Sequence, residues 1–463
     1  MVGFISKNLI DIFTKLVLVR VLLPVEFGIF ATAYVFINLA RVLSETGISA
    51  SIIQGSAIDN EILSSSFIFN ILTSLIFLAA ALFFSPFIAG YFNDNSLVPV
   101  IRVLSVALFI ESLVYIQNAF LIKNLNFRNT VIPQLGAVIM YSVSGIVFAY
   151  LKFGLWSLVW ASLVRSIATS VLFYRITPWK PQLRFDYAKF SPLLSFGIKV
   201  DGVKALRYIK NNIGYLVIAK FLGPLFLGYY FVAYELAHYY NHQICPLLSG
   251  IFFPLLSQIK DNEKLQEYHF KTFKYSFIVG VPVYVIIFAL CKEILISVFG
   301  SKWAPSVLPA QVLSLVAYFT FTESPVFSAF FIAKGNVEKL LKIYMFMLLI
   351  NSVAVFGGIA HGIAGVALFL LFAALLNFVI IIIFAARALK LGLREYAAKI
   401  YPFFMPSAIT MSILLFLNNL PRKGAVFLLL EIPLVLLSYA VLLRLHKIYI
   451  VQEIKSFYQM LVS

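Results

Sequence analysis

Between Ser191 and Phe221 the chain carries Lys199, Asp201, Lys204, Arg207, Lys210, Asn211 and Asn212 within a stretch long enough to cross a bilayer. At about 1.5 Å of rise per helical residue, Asp201 to Lys210 fall in the middle of the hydrocarbon. A lipid-facing charge there costs at least about 2.5–3.5 kcal/mol, so charges on this scale must line water or pair inside a bundle. Asp201 and Lys204, at i and i+3, can pair locally. Lys199, Arg207 and Lys210 then leave the segment net positive, which predicts a hydrated cationic cavity. Such a cavity attracts an anionic headgroup, because phosphate oxygens accept from guanidinium and ammonium donors. The candidate substrate ligands are Lys199, Lys204, Arg207 and Lys210, with Asn211 and Asn212 beside them.

Other apolar segments add Arg41, Arg102, Glu111, Arg165, Glu235, His238 and Glu323. Snorkelling or an internal ion pair accounts for any one of these, and Arg41 and Arg102 lie close enough to segment ends to snorkel. Arg41 and Arg165 join the candidate substrate ligands. Asp201, Glu111, Glu235 and Glu323 are candidates for carrying a coupling proton or sodium ion, although a carboxylate paired with a cavity cation has the same sequence signature. Tyr230 and Tyr234 belong to the aromatic run Tyr229, Tyr230, Phe231, Tyr234, Tyr239 and Tyr240. They can stack on sugars in a cavity, and an interfacial tyrosine belt explains them equally well.

The elements that position these residues follow from composition. The chain is 62% hydrophobic and 12% charged, with mean hydropathy +0.97, against about 45–50% and about 25% for soluble domains. This is an integral membrane composition. The net charge of +17 does not indicate nucleic acid, because the cations lie between apolar segments rather than on one face or arm. Cys245 and Cys291 have no neighbours at metal-ligand or CxxC spacing and read as gap fillers, so no metal is expected. The opening residues lack a basic leader and a cleavage site, so the first apolar segment is expected to stay as a signal anchor.

Membrane helices of about 20 residues give about fourteen spans. The first six run roughly 3–22, 27–46, 63–85, 97–121, 130–151 and 154–174, and the second six roughly 191–219, 225–256, 268–291, 306–333, 340–360 and 362–386. A last pair covers roughly 399–418 and 424–444. With the N-terminus inside, the inner edges hold about three cations for each one outside, in clusters such as Arg175, Lys180, Arg184 and Lys189. Both termini are thus expected in the cytoplasm.

A hairpin motif recurs between these spans. Pro24, Gly28, Phe30, Ala33 and Tyr34 return as Pro224, Gly228, Tyr230, Ala233 and Tyr234. Weaker echoes pair Pro99 and Val103-Leu104-Ser105 with Pro309 and Val312-Leu313-Ser314, and Gly154 with Gly362. An even number of spans separates the copies, so they are parallel repeats about an axis along the membrane normal. The expected architecture is all-α: a six-helix lobe over 1–174, a cytoplasmic linker over 175–190, a second six-helix lobe over 191–390, and two appended helices with a tail over 391–463. A tight outer turn explains the hairpin prolines and glycines entirely. The alternative makes Pro24, Gly28, Pro224 and Gly228 a gate whose two hairpins meet when an outer cleft closes.

These residues resemble a family. Arg20-x-Leu22-x-Pro24-x-x-Phe27-Gly28, with Thr46-Gly47-Ile48-Ser49-Ala50 after an Ala-rich span, is similar to the Wzx-type polysaccharide flippases. So are Arg184-Phe185-Asp186 before Leu194-Ser195-Phe196-Gly197, the Leu222-Gly223-Pro224 turn, Phe253-Pro254-Leu255-Leu256-Ser257 and Phe299-Gly300-x-x-Trp303. The match runs over roughly residues 15–390 and looks nearest the colanic-acid-like and teichuronic-acid-like exporters. Val19 stands before Arg20 where the family often has Ala.

The resemblance implies a member of the multidrug/oligosaccharidyl-lipid/polysaccharide exporter superfamily in a bacterial inner membrane. It implies alternating-access flipping of undecaprenyl-pyrophosphate-linked repeat units, driven by an ion gradient without a cofactor, for O-antigen, capsule or exopolysaccharide. A polymerase and a chain-length regulator of the same pathway would be its partners, and a monomer suffices. A membrane glycosyltransferase or polymerase is the rival reading, but the connectors are short and paired carboxylates outside the spans are not seen. A same-fold exporter of another lipid-linked precursor stays open, whereas a drug exporter for organic cations would want an acidic cavity.

Overall fold

Pro24 opens a helix at a position where its missing N–H costs nothing, and Pro224 does the same in the second copy of the hairpin. The computed structural model describes residues 2–44, 52, 59–182, 184–259, 261–418, 425–445 and 448. The Thr46–Ala50 motif and Lys447 to Ser463, apart from Ile448, lie outside them. The helices are α1 (Val2–Val21), α2 (Pro24–Ser44), α3 (Asn60–Phe92), α4 (Leu97–Ser112), α5 (Tyr115–Lys123), α6 (Phe127–Tyr150), α7 (Leu155–Ile176) and α8 (Tyr187–Phe221). There follow α9 (Pro224–Ala237), α10 (Tyr239–Gln243), α11 (Cys245–Gln258), α12 (Asn262–Glu293), α13 (Val307–Thr320), α14 (Ala329–Ala333), α15 (Val337–Gly358), α16 (Gly362–Ala388), α17 (Leu393–Asn418) and α18 (Ala425–Leu445).

The protein is an all-helical, multi-pass membrane protein. Eight helical stretches among the described residues are long and apolar enough to cross a membrane. The α8 helix is not among them, because the charges that make it interesting spoil every apolar window. The helix α3 runs past the expected end of the third span, carrying Pro86 in its interior. The Asp59 carboxylate caps its start by accepting from the Ile62 N–H at 2.8 Å, and Asn93, left-handed at φ 56°, ends it.

Two compact units divide the chain, Met1–Phe231 and Val232–Ser463. The boundary falls within α9, beyond the linker expected between lobes. In the first unit α3 packs on α4, α6 on α7 and α4 on α7, while α8 packs on α2 and α3. In the second unit α12 packs on α13, α15 on α16 and α13 on α16. The pairing order is therefore the same in the two halves of the sequence.

Local backbone repeats with it. The fourth span breaks at Leu113–Val114, and the tenth loosens into a π turn over Glu323–Ser328. Leu125 at φ 54° precedes Asn126 at the start of α6, and Gly335 at φ 70° precedes Asn336 at the start of α15. Gly154 (φ 55°, ψ −129°) and Gly362 (φ 69°, ψ −163°) occupy a region essentially reserved for glycine as α7 and α16 begin.

The 175–190 connector is docked rather than loose. Trp179 is buried against Phe67 and Phe120, the Gln182 N–H donates to Ser64 Oγ at 3.2 Å, and the Asp186 N–H donates to Ser65 Oγ at 2.8 Å.

Candidate functional site: a charged helix and two ionic clusters

The helix α8 holds the cluster that the sequence singles out. Asp201 is 6% exposed, and its Oδ1 lies 3.6 Å from Lys204 Nζ, the expected i,i+3 pair. Lys210 is 2% exposed and Arg207 half-buried. The Lys199 side chain lies outside the described residues. Asn212 Nδ2 donates to the Tyr208 carbonyl of its own helix at 2.8 Å, while Asn211 is exposed. Tyr208 anchors the helix, its hydroxyl donating to the Val35 carbonyl of α2 at 3.1 Å.

Arg41 and Glu111, expected in separate roles, meet. Arg41 Nη2 of α2 donates to Glu111 Oε2 of α4 at 2.9 Å, with side chains 29% and 23% exposed. Arg41 thus holds an internal ion pair instead of reaching for the interface. Arg102 is exposed and donates from Nε to Ser85 Oγ at 3.1 Å.

Arg165 belongs to a second cluster, most of which sequence reasoning missed. Its guanidinium carbon sits 5.9 Å over the ring of Tyr141. On α1, Lys15 Nζ lies 3.6 Å from Asp11 Oδ2, and Lys7 is within electrostatic reach of Arg165 and Asp11. Tyr34 and Asp11 are electrostatic neighbours of Tyr141 as well. The signal for this cluster was present: Lys7, Asp11 and Lys15 at i, i+4 and i+8 occupy one face of the first span.

Tyr230 and Tyr234, the tyrosines expected to face sugars, both pack on neighbouring rings. Tyr230 is 1% exposed, edge-on to Tyr215 at 5.8 Å and packed over Gly214 of α8. Tyr234, in the second unit, stacks on His238 with centroids 3.9 Å apart. Glu235 is half-buried there, and Glu323, 8% exposed, opens the π turn. The cleft of about 420 Å³ between α12 and α17 is lined by Lys271, Lys274, Lys399 and Phe270, among others. Lys271 and Lys399 are already paired with Glu267 at 2.6 Å and Glu395 at 3.1 Å. Among the described residues no cluster of His, Cys, Asp and Glu has a metal-binding arrangement.

The two hairpins meet. Pro24 and Gly28 of the first abut Pro224 and Gly228 of the second, and Phe27 stacks on Phe231 with centroids 6.2 Å apart.

The family described as "Polysaccharide biosynthesis protein" matches residues 17–308, more than half of the sequence. The chain belongs to that family. Among polysaccharide biosynthesis proteins it is 26% identical over 395 residues to the Escherichia coli (strain K12) lipopolysaccharide biosynthesis protein WzxC, covering 84% of this chain and 80% of WzxC. It is 24% identical to the Bacillus subtilis (strain 168) teichuronic acid biosynthesis protein TuaB, covering 80% and 77%. It shares its fold with the lipid II flippase MurJ in an inward closed conformation, at TM-score 0.68 and 16% identity over 99% of this chain and 100% of that one. An inward-facing multidrug transporter of the MATE family is similar at TM-score 0.63 and 16% identity, covering 84% and 96%.

Proposed function

We propose that this protein flips undecaprenyl-pyrophosphate-linked oligosaccharide repeat units across a bacterial cytoplasmic membrane for surface polysaccharide assembly. The observation that carries the reading is α8: a helix with buried Lys210 and Asp201 and half-buried Arg207, in a chain of a polysaccharide biosynthesis family. Charge held at that depth is expensive unless it serves a hydrated path. The likeness in fold to the lipid II flippase MurJ supports a lipid-linked cargo.

In this reading the chain makes fourteen spans with both termini inside, in two parallel six-helix lobes (1–174 and 191–390) joined by the 175–190 linker, with 391–463 appended. Arg207 and Lys210, helped by Lys204, hold the pyrophosphate, and Lys199, Arg165, Asn211 and Asn212 line the path. Asp201, Glu235 and Glu323 carry the coupling proton or sodium. Glu111 can join them only by releasing Arg41, which couples its charge state to a second cation. The protein performs no covalent chemistry and works as a monomer beside a polymerase and a chain-length regulator.

The test is deletion in the native host and mass analysis of undecaprenyl-linked glycans. The expected result is a complete repeat unit accumulating on the cytoplasmic side. An incomplete unit would make the protein a transferase, and complete unpolymerised units outside would make it a polymerase; either refutes the flippase.

A further inference from the structure

The backbones of the two hairpins approach each other reciprocally. A Cβ built on Gly28 would lie 1.7 Å from the carbonyl oxygen of Pro224, and one built on Gly228 would lie 1.7 Å from the carbonyl oxygen of Pro24. Each contact ends on backbone, which no rotamer change can clear. By contrast, Gly90 on α3 has nothing within 4 Å of such an atom.

The first hairpin is also braced from behind. Glu26 Oε2 accepts from the Leu23 N–H at 2.7 Å, and its other oxygen presses on Gly154 at the start of α7, where a Cβ would meet it at 2.3 Å. Across the seam, Lys220 Nζ on α8 donates to the Tyr91 carbonyl on α3 at 2.5 Å and sits 4.5 Å over the Tyr91 ring. Tyr215, which precedes Lys220 on α8, is buried against Phe231, the ring that stacks on Phe27.

We propose that Gly28 and Gly228 form a two-fold latch that closes the outer end of the transport path, with the Lys220–Tyr91 pair as its outer tie. A tight turn alone would need glycine for its own φ, but both latch glycines lie inside helices and have ordinary helical backbone. What demands glycine at both is the opposite hairpin. The prolines matter for the same reason: each starts its helix and leaves its carbonyl where the facing glycine receives it. Opening must separate these backbones, so a methyl at either glycine disfavours the closed state without touching the path below. The outer assignment and the alternating motion rest on the proposed function, whereas the latch itself rests on the geometry.

The experiment places a cysteine at Tyr215 (Y215C) and measures its labelling in intact cells by a membrane-impermeant maleimide. Cys245 and Cys291 are buried, and the chain without Y215C gives their background. Gly28→Ala and Gly228→Ala are each expected to raise the labelling rate at least about fivefold, as for an open population moving from near a tenth to the majority. Gly90→Ala should leave it unchanged, and Lys220→Gln should raise it about twofold, the scale of an exposed pair. Parental labelling in folded Gly28→Ala and Gly228→Ala proteins would overturn the latch, as would an equal rise in Gly90→Ala. A rise seen only with a permeant reagent overturns the outer assignment. Should the glycine variants fail to fold, an unchanged rate in Lys220→Gln overturns the proposal by itself. Labelling reads opening without cargo, so an error about the cargo would appear in the deletion test and leave these rates intact.

Discussion

The Arg41–Glu111 pair offers a sharp test, because two residues expected to act apart on substrate and on a coupling ion are in contact. Two unit charges about 4 Å apart attract by about 4 kcal/mol at an effective dielectric of about 20. The side chains are 29% and 23% exposed, so water screens part of this, and desolvation offsets more. We expect a coupling energy of about 2 kcal/mol. The assay is a double-mutant cycle of Arg41→Gln, Glu111→Gln and both together, followed by thermal unfolding of the purified protein. Each single change leaves one half-buried charge without its counter-ion, whereas the double change leaves two neutral amides that can bond to each other. At about 2–4 °C per kcal/mol for a domain of roughly 200 residues, each single variant should lose several degrees and the double variant should recover about 4–8 °C of the summed loss. Additive losses would refute the pair as an energetic unit. Glu111→Gln with unimpaired gradient-driven transport would in addition remove Glu111 from the coupling residues.

Arg207→Ala and Lys210→Ala should each lower glycan export at normal expression, and intact export in both would dismiss their pyrophosphate role. Asp201→Asn should keep the fold but free transport from the ion gradient, measured by collapsing the gradient with an ionophore; gradient-dependent transport in that variant excludes Asp201. Tyr208→Phe should cost about 0.5–1.5 kcal/mol through the lost bond to Val35, seen as a small drop in melting temperature with export unchanged. Gly154→Ala should cost about 1–3 kcal/mol for a methyl in a glycine-only conformation against Glu26, and an unchanged melting temperature would contradict the brace behind the first hairpin.

What could be read in advance was local. Asp201 and Lys204 are three residues apart on one helix, so their pairing follows from spacing. The hairpins follow from Pro and Gly and from their repetition, whereas the breaks at Leu113–Val114 and Glu323–Ser328 fall inside spans that read as continuous. Arg41 and Glu111 come from different helices, and nothing in either neighbourhood announces the other. The Pro224 carbonyl facing Gly28 is equally invisible, because a glycine suited to a turn and one suited to a close crossing are the same letter. The packing of Tyr230 on Tyr215 is hidden for a related reason: an aromatic beside charge can line a cavity or seal a helix contact, and its letter is the same in both. Lys7, Asp11 and Lys15 were legible as a helical face but sit in a first span that reads as an anchor.

The turn before α6 bears on the history of the chain. Leu125 holds a left-handed conformation that costs most residues about 1–2 kcal/mol, and Gly335 holds it freely in the corresponding turn. If the halves descend from one duplicated ancestor, selection has kept the bend while letting its letter drift. Their common origin is then better recorded in backbone angles than in residue identities. A search for single-copy ancestors should compare strings of dihedrals, scoring Leu125 and Gly335 as the same character.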